Sequence, residues 1–221
     1  MTTTRPLHSK ATKCRVCSST LLQCVLPISP IPIGEHYQSK YVESDHPRFP
    51  MDIYQCLDCT AVQTLDDIDP DYLWKNYTYF SGHTQKIIDH FSEFVEDLID
   101  NYPFKDNPSV LDIGSNDGSL LKAFQNRGFV VEGIDPADTV VNVANSNNIP
   151  TYLGLFNSRT AQEYFPERKY DVITAFNVFA HSSELQDMAY TVSTLLNDNG
   201  IFCFEVQYLL DIVQKKILGT F

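Results

Sequence analysis

Four of the six cysteines stand in two pairs, each pair separated by two residues. Cys14 and Cys17 form the first pair, and Cys56 and Cys59 form the second. A C-x-x-C turn places two thiolates on one side of a tight loop, and two such turns supply the four ligands of a tetrahedral Zn²⁺ site. A site with four sulfur ligands has no open position, so the spacing predicts structural zinc. Unpaired surface thiols and a redox pair are the alternatives, although a redox motif needs only one pair.

A second chemical pattern begins where an apolar run leads into a glycine loop, from Gly114 to Gly118. Glycines let the backbone turn sharply and approach a ligand closely. Asp112 lies two residues before the loop, and the third glycine of the dinucleotide-binding loop is missing. Asp135 follows 21 residues after Gly114. A carboxylate at that distance can accept hydrogen bonds from both ribose hydroxyls of a nucleoside, which predicts a nucleoside-containing cofactor.

The same arrangement can bind S-adenosylmethionine or a nicotinamide cofactor, so the presence of Asp135 does not distinguish between them. An NAD enzyme stays open as an alternative, as does a simple helix N-cap role for Asp135.

Repeated strand–helix units must position these residues. Residues 87–99 carry apolar side chains every three to four positions, which predicts one amphipathic helix. From residue 108 apolar strands alternate with helices, and such units predict a parallel sheet with helices on both faces. The expected strands are 109–114, 129–135, 151–153, 170–176 and 201–207, and the expected helices are 118–126, 139–145, 159–164, 184–196 and 209–218.

The predicted fold class is therefore α/β. A small N-terminal zinc module with four cysteines precedes a doubly wound, mostly parallel, Rossmann-like sheet. We expect a zinc-binding module over 1–66, with short β-runs at 52–56 and 61–65, then a linker and first helix over 67–105. Residues 106–221 form the cofactor-binding domain.

Several segments together resemble the sugar C-methyltransferases, which belong to the class I S-adenosylmethionine-dependent methyltransferases. Residues 110–118 look like motif I of that class, and residues 133–137 look like its second-strand acid. The closer resemblance to the sugar enzymes rests on 77–80, 177–181 and 204–208, beside the two cysteine pairs. It extends from Cys14 to Phe221 and implies methylation of a nucleotide-linked 4-keto-6-deoxy sugar at carbon.

The resemblance implies that S-adenosylmethionine contacts the glycine loop, the second-strand acid and the loop after the fourth strand. The implied cofactor-binding residues are Asp112, Gly114, Ser115, Asn116, Asp117, Gly118, Asp135, Pro136, Phe156 and Asn177. Phe156 has an equal alternative as an ordinary core residue. Many class I enzymes place an acidic residue near this position to bind the adenine amine, and residues 154–157 contain none.

No catalytic residue is assigned, and His181, Tyr77 and Tyr79 are the candidates. His181 has the alternative of capping the helix expected just after it, and the two tyrosines have the alternative of packing between domains. Glu205 is expected to be buried on the fifth strand, where its carboxylate needs a partner. That partner is either the substrate or a structural hydrogen bond.

In the family that the chain resembles, a further domain supplies the proposed catalytic base from a segment of the HEH type. This sequence stops at Phe221, before that segment, and shows five strands where a class I sheet has seven. We therefore expect a form truncated after the fifth strand. It would bind S-adenosylmethionine, lack the base and turn over poorly or not at all.

The formal net charge of −12 opposes binding to a polyphosphate backbone, and Lys215-Lys216 is the longest basic run. The first thirteen residues lack the apolar stretch of a signal peptide, and three prolines interrupt the apolar stretch over 21–33. We expect a cytoplasmic protein with a nucleotide-linked sugar substrate, no nucleic-acid partner and no membrane segment. The sequence does not specify an oligomeric state.

Two other functions remain open. One is a methyltransferase that acts on the oxygen or nitrogen of another small-molecule acceptor. The other is a non-catalytic interaction module with zinc knuckles and an S-adenosylmethionine site, which an exposed apolar patch beside the fifth strand would favour.

Overall fold

The computed structural model describes residues 6–34, 46–74 and 77–217. The chain divides into two compact units, Met1–Tyr79 and Phe80–Phe221.

The N-terminal unit is built from short strands that pair antiparallel. Its elements are β1 (His8–Lys10), β2 (Leu22–Leu26), β3 (Ile31–Pro32), β4 (Arg48–Phe49), β5 (Ile53–Cys56), β6 (Val62–Thr64), β7 (Asp66–Ile68) and α1 (Pro70–Trp74). Strands β2, β5 and β6 form a three-stranded sheet, while β3 pairs with β4 and β1 pairs with β7. Cys56 is the last residue of β5, and Cys59 lies in the turn that leads to β6. Strand β7 occupies the point where the sequence predicted the start of a linker, because its backbone pairs with β1.

The second unit alternates strands and helices as predicted. After a 3₁₀ turn (Ser81–His83), its elements are α2 (Gln85–Asn101), β8 (Ser109–Ile113), α3 (Ser119–Gln125), β9 (Val130–Asp135), α4 (Asp138–Ser146), β10 (Thr151–Leu153), α5 (Ser158–Tyr164), β11 (Tyr170–Phe176), a 3₁₀ turn (Phe179–His181), α6 (Leu185–Leu195), β12 (Leu196–Glu205) and α7 (Leu209–Lys215). The strand order is β10-β9-β8-β11-β12, and every neighbouring pair is parallel. The predicted Rossmann-like sheet is confirmed.

The largest differences from the predicted boundaries lie near the end of the second unit. Strand β12 begins at Leu196, five residues before the predicted start at Ile201, because Leu196 pairs with Tyr170 ahead of a register shift. The last helix ends at Lys215, and the predicted end at residue 218 lies outside the described residues.

Apolar clusters cover both faces of this sheet, because successive strand residues point to opposite faces. On one face, Val110 and Val172 pack with Phe91 and Val95 of α2 and with Phe124 of α3. On the other face, a second cluster packs strand residues against α5 and α6. Its fully buried members include Leu111, Ile113, Ile134, Phe165 and Ile173. These two cores hold the carboxyl ends of the strands in fixed register.

Strand β12 is the edge of the described sheet and pairs with β11. Phe204 is 51% exposed, and the side chain of Glu205 is 41% exposed. The expectation that Glu205 is buried is therefore wrong, because an edge strand receives cover from one neighbour instead of two. Among the described residues, no helix combines the length and the apolar character needed to cross a bilayer.

Candidate functional site

The strand order reverses direction at the centre of the parallel sheet. The chain runs outward from β8 through β9 to β10, and then returns to β11 on the other side of β8. Connections on the two sides of such a reversal diverge and leave a crevice at the carboxyl ends of the strands, where ligands of open α/β sheets bind. The loops after β8, β9 and β11 therefore meet at one edge.

The glycine loop after β8 has a conformation that requires glycine at its first position. Gly114 has φ +69, and a Cβ there would lie 2.3 Å from Cγ2 of Val178. A side chain at Gly114 would therefore clash with the loop that follows β11. This close approach brings the predicted cofactor loop against the predicted Asn177 loop.

Asp135, at the carboxyl end of β9, is the buried carboxylate of this crevice. Its Oδ2 accepts the N–H of Asn116 at 2.9 Å, and its Oδ1 accepts the N–H of Ala137 at 2.9 Å. Burial raises the pKa of Asp135 above its ordinary value, and the two backbone donors partly offset that rise. Ala137, not Asp135, occupies the N-cap position of α4, so the N-cap alternative is wrong.

Asp112 lies inside the sheet beneath the glycine loop and is 3% exposed. Its Oδ1 accepts the hydroxyl of Thr174 on β11 at 2.7 Å. Burial raises the pKa of Asp112 to about 7, the hydrogen bond from Thr174 opposes that rise, and the nearby Asp135 carboxylate adds to it. A direct contact from Asp112 to a cofactor stays a prediction.

The remaining loop residues are placed in different ways. The side chains of Asn116 and Asp117 accept hydrogen bonds from the backbone of Ser81 and Gly82. The Oγ of Ser115 is buried and has no hydrogen-bond partner among the described residues; it lies 2.3 Å from where a Cβ of Gly133 would stand. Gly118 and Pro136 lie at the loop ends, buried and half-buried.

Three polar side chains form a hydrogen-bonded cluster at the carboxyl edge of β11 and β12. They are Asn177, Glu205 and His90. Glu205 Oε1 accepts Nδ2 of Asn177 at 3.0 Å, and Glu205 Oε2 is 2.7 Å from Nε2 of His90. The backbone N–H of Asn177 also donates to the carbonyl of Glu205 at 2.8 Å. Glu205 thus has the structural hydrogen bonds that the sequence left open. His90 was missed, because it stands on α2 and nothing in its local pattern links it to a residue 115 positions away.

His181 lies in the 3₁₀ turn after β11 and keeps an exposed surface. Surrounding protein atoms lower the pKa of its imidazole, because they remove water from the charged form. Helix α6 begins at Leu185 with Glu184 as its N-cap, so the helix-capping alternative for His181 is wrong. Phe156, after β10, is half-buried and packs against the apolar cluster beneath α5 and α6.

The candidate tyrosines Tyr77 and Tyr79 belong to the N-terminal unit. Their rings lie 6.4 Å apart, and Tyr77 also packs edge-on against Trp74 at 5.3 Å. Tyr79 is 42% exposed. These contacts lie within the N-terminal unit, so packing between domains and a catalytic role for either tyrosine both stay predictions.

The two cysteine pairs converge in the N-terminal unit, and all four sulfur atoms lie within 4.8 Å of one another. The Sγ atoms of Cys14 and Cys59 are 3.6 Å apart, as are those of Cys17 and Cys56. With Zn–S bonds of ~2.3 Å, the ligand atoms of a tetrahedral site lie about 3.8 Å apart. The two 3.6 Å separations are close to that value, and each joins one cysteine of the first pair to one of the second.

Polar groups around the sulfurs favour the ionised state of one cysteine. Burial acts to raise the pKa of Cys14, but N–H donors from Cys17 and Val16 and the amide of Gln63 outweigh it and bring that pKa to about 6. The amide nitrogen of Gln63 lies 3.1 Å from Cys14 Sγ, while its oxygen accepts the N–H of Arg15. Gln63 is thus a further residue of the site that the cysteine spacing did not reveal. The four-sulfur donor set fits zinc.

A parallel sheet of this order, with a glycine loop after its first strand and an acid after its second, is the fold of class I methyltransferases. Residues 85–217 match a family described as a methyltransferase domain, and residues 14–74 match a family described as a zinc binding domain. The chain belongs to the methyltransferase-domain family. For this family, the two expected cofactors are confirmed. They are S-adenosylmethionine and structural zinc.

The curated relatives of this chain include a C-methyltransferase and an O-methyltransferase. The C-methyltransferase NovU of Streptomyces niveus is 28% identical over 173 residues, which cover 78% of this chain and 41% of that protein. A ubiquinone biosynthesis O-methyltransferase of Rhodopseudomonas palustris is 29% identical over 93 residues, covering 42% of this chain and 37% of that protein. The chain thus spans about two fifths of the length of these relatives.

Comparison with solved structures gives the same fold. A protein from Pyrococcus horikoshii superposes with a TM-score of 0.50 at 18% identity, covering 63% of this chain and 62% of that protein.

We expect zinc at about one ion per chain in the protein purified without chelator. Cys56→Ser should remove the bound metal and destabilise the N-terminal unit, because three thiolates bind zinc more weakly than four and metal-binding energy contributes to folding. Cys24→Ser is the matched control, since Cys24 is exposed and lies outside the cluster. Elemental analysis by plasma emission measures the content. Equal zinc in both variants would contradict the site.

Asp112 should make the stability of the second unit fall as the pH rises. The folded protein holds a proton on Asp112 between its ordinary pKa near 4 and its folded-state pKa of about 7, whereas the unfolded chain loses it. Asp112→Asn retains the acceptor for Thr174 without the charge, so the free energy of unfolding of the variant minus that of the native protein should increase from pH 4 to 7. The expected increase is on the order of 1 to 3 kcal/mol.

Denaturant unfolding across that pH range measures this difference. Titration of the zinc ligands affects both proteins equally and therefore cancels in the difference. Asp100→Asn, at an exposed position on α2, is the control. Parallel pH profiles for the native protein and Asp112→Asn would show that the carboxyl group is not protonated in the folded state.

Proposed function

We propose that this chain is the S-adenosylmethionine-binding part of a C-methyltransferase that acts on a nucleotide-linked 4-keto deoxysugar. The observation that supports it most is the meeting of three loops at one edge of the sheet. The glycine loop over 114–118, the buried Asp135 and the Asn177 loop come from strands that are far apart in sequence. The sugar acceptor is supported by the resemblance of the sequence and by the similarity to NovU.

The cofactor-binding part of the proposal assigns a role to each side of the crevice. Asp135 receives the ribose hydroxyls, since its oxygens keep further lone pairs beside the two that accept backbone N–H groups. The turn over 114–118 receives the rest of the cofactor against its backbone. Pro136 and the half-buried Phe156 provide apolar contacts for the base. Bound S-adenosylmethionine supplies an electrophilic methyl group on a sulfonium.

The protein's own contribution to the transfer is positioning and exclusion of water. The new bond joins the methyl carbon to a nucleophilic carbon of the acceptor, and the bond from sulfur to that methyl breaks. The edge formed by Asn177, Glu205 and His90 borders the same crevice and offers polar groups to the acceptor. His181, which favours the neutral imidazole, stands on the same loop as Asn177 and is the candidate to hold a proton there. The predicted cytoplasmic location belongs to this proposal.

A second acceptor class has one specific observation in its favour. The relatives include O-methyltransferases of ubiquinone biosynthesis, so an oxygen acceptor fits the same cofactor fold. The position of a transferred ¹³C-methyl group distinguishes the two, because a carbon-bound and an oxygen-bound methyl differ widely in chemical shift. The exposed apolar side chains near β12, such as Phe204 and Tyr208, are the feature that would support a non-catalytic interaction module. Concentration-dependent self-association without any methyl transfer would favour that third function.

Calorimetry should show binding of S-adenosylmethionine to the native chain. Asp135→Asn removes the charge that accepts the ribose hydroxyls, and hydrogen bonds to charged groups are worth about 1.5–3 kcal/mol. We expect the dissociation constant to rise at least ~10-fold, where a factor of ten corresponds to 1.4 kcal/mol. Asp138→Asn, an exposed carboxylate in the first turn of α4, is the matched control.

Failure of the folded native chain to bind S-adenosylmethionine would overturn the proposed function. Incubation with S-adenosylmethionine and a dTDP-4-keto-deoxysugar in the same buffer tests the proposed acceptor, and mass spectrometry detects a methylated sugar.

A further inference from the structure

The 3₁₀ turn over Ser81–His83 lies against the glycine loop that follows β8. The N–H of Ser81 donates to Oδ1 of Asn116 at 3.0 Å, and the N–H of Gly82 donates to Oδ2 of Asp117 at 2.8 Å. Both donors belong to the turn and both acceptors belong to the loop. Two consecutive backbone groups are therefore held by two consecutive side chains.

The second oxygen of Asp117 is also used inside the protein. Its Oδ1 accepts the hydroxyl of Ser119 at 2.6 Å and the backbone N–H of Ser119 at 3.2 Å. The carboxylate thus bridges the first residue of α3 and the turn at Gly82. A carboxylate that serves three donors of its own chain is directed toward the protein and has little capacity left for a ligand.

The same loop is fixed from its other side by Asp135. The backbone N–H of Asn116 donates to Asp135 Oδ2, while the Asn116 side chain reaches Ser81. Asn116 therefore connects Asp135, the carboxylate assigned to the ribose, with the 3₁₀ turn that precedes α2. Asn116 has φ +51, a left-handed conformation that presents its N–H and its side chain to these two partners.

Gly82 allows this close contact because it has no side chain. A Cβ at Gly82 would lie 2.8 Å from Oγ of Ser119 and 2.9 Å from Oδ2 of Asp117. The Oγ of Ser119 is held by its hydrogen bond to Asp117 Oδ1, and Asp117 Oδ2 is held by the N–H of Gly82. Neither atom can therefore move away from an added Cβ without breaking a hydrogen bond. Any larger residue at this position would displace the turn from the loop.

We infer that Asn116 and Asp117 are positioning residues that hold the Ser81–His83 turn against the cofactor loop, and that their side chains are not cofactor ligands. The inference rests on the proposed function, in which S-adenosylmethionine binds at this loop. Since α2 follows at Gln85 and its apolar face packs in the core, the turn connects a fixed helix to the cofactor loop. Cofactor binding and ordering of the turn are therefore coupled, and each favours the other.

Amide hydrogen exchange of the full chain, resolved at Ser81 and Gly82 by NMR, tests this coupling. In the native protein, saturating S-adenosylmethionine should slow exchange at these two amides about tenfold more than at Val95 in the middle of α2. Asp117→Ala should abolish the extra slowing and weaken S-adenosylmethionine binding about tenfold. Asp117→Asn keeps an acceptor oxygen and should recover most of both effects. Asp100→Ala, which removes an exposed charge from α2, should behave as the native protein.

A second variant guards against a general loss of folding. Gly82→Ala should displace the turn and reproduce the effects of Asp117→Ala, whereas Gly34→Ala, with nothing within 4 Å of the added Cβ, should not. The inference fails if Asp117→Ala and Gly82→Ala bind S-adenosylmethionine as the native chain does, or if exchange at Ser81 and Gly82 is insensitive to the cofactor in a native chain that binds it. The proposed function fails instead if the native chain shows no binding.

Discussion

One buried carboxylate holds the centre of the second unit together. Asp135 accepts a backbone N–H from the loop after β8 and another from the loop after β9. Burial penalises this charge, so it persists there only because two N–H groups are directed at it. The two loops on one side of the reversal point are thereby fixed relative to each other. The conformation of the glycine loop, and with it the shape of the crevice, depends on this pair of hydrogen bonds.

The features that the sequence predicted well are those with a local signature. Short apolar runs separated by helical segments predicted the five strands and their helices within a few residues. Such runs are continuous because a strand of a parallel sheet is buried on both faces. The cysteine pairs predicted the metal cluster, because thiolate ligands come from adjacent positions of a tight turn. Gly114 was recognised because an apolar run leads into a glycine loop, and the structure shows that a side chain at this position would clash with Val178.

The features that the sequence did not reveal join residues that are distant along the chain. Glu205 is hydrogen-bonded to His90 on a different element, and Gly82 is hydrogen-bonded to Asp117, which is 35 residues away. Gln63 reaches Cys14 across the N-terminal unit. Each of these pairs is created by tertiary packing. The sequence around a single polar residue has no periodic pattern from which its distant partner could be predicted. The early start of β12 belongs to the same class, since it is decided by pairing with Tyr170.

The N-terminal unit places its metal cluster where the chain must return on itself. His8 near its start pairs with Ile68 near its end, and Cys14 meets Cys59 from 45 residues away. Bringing such distant segments together costs closure entropy before any contact repays it. The apolar side chains buried among the described residues of this unit are few, chiefly Phe49, Ile53 and Leu65. A zinc ion bound to the four sulfurs therefore cross-links two distant parts of the chain, so the free energy of metal binding compensates for a small apolar core.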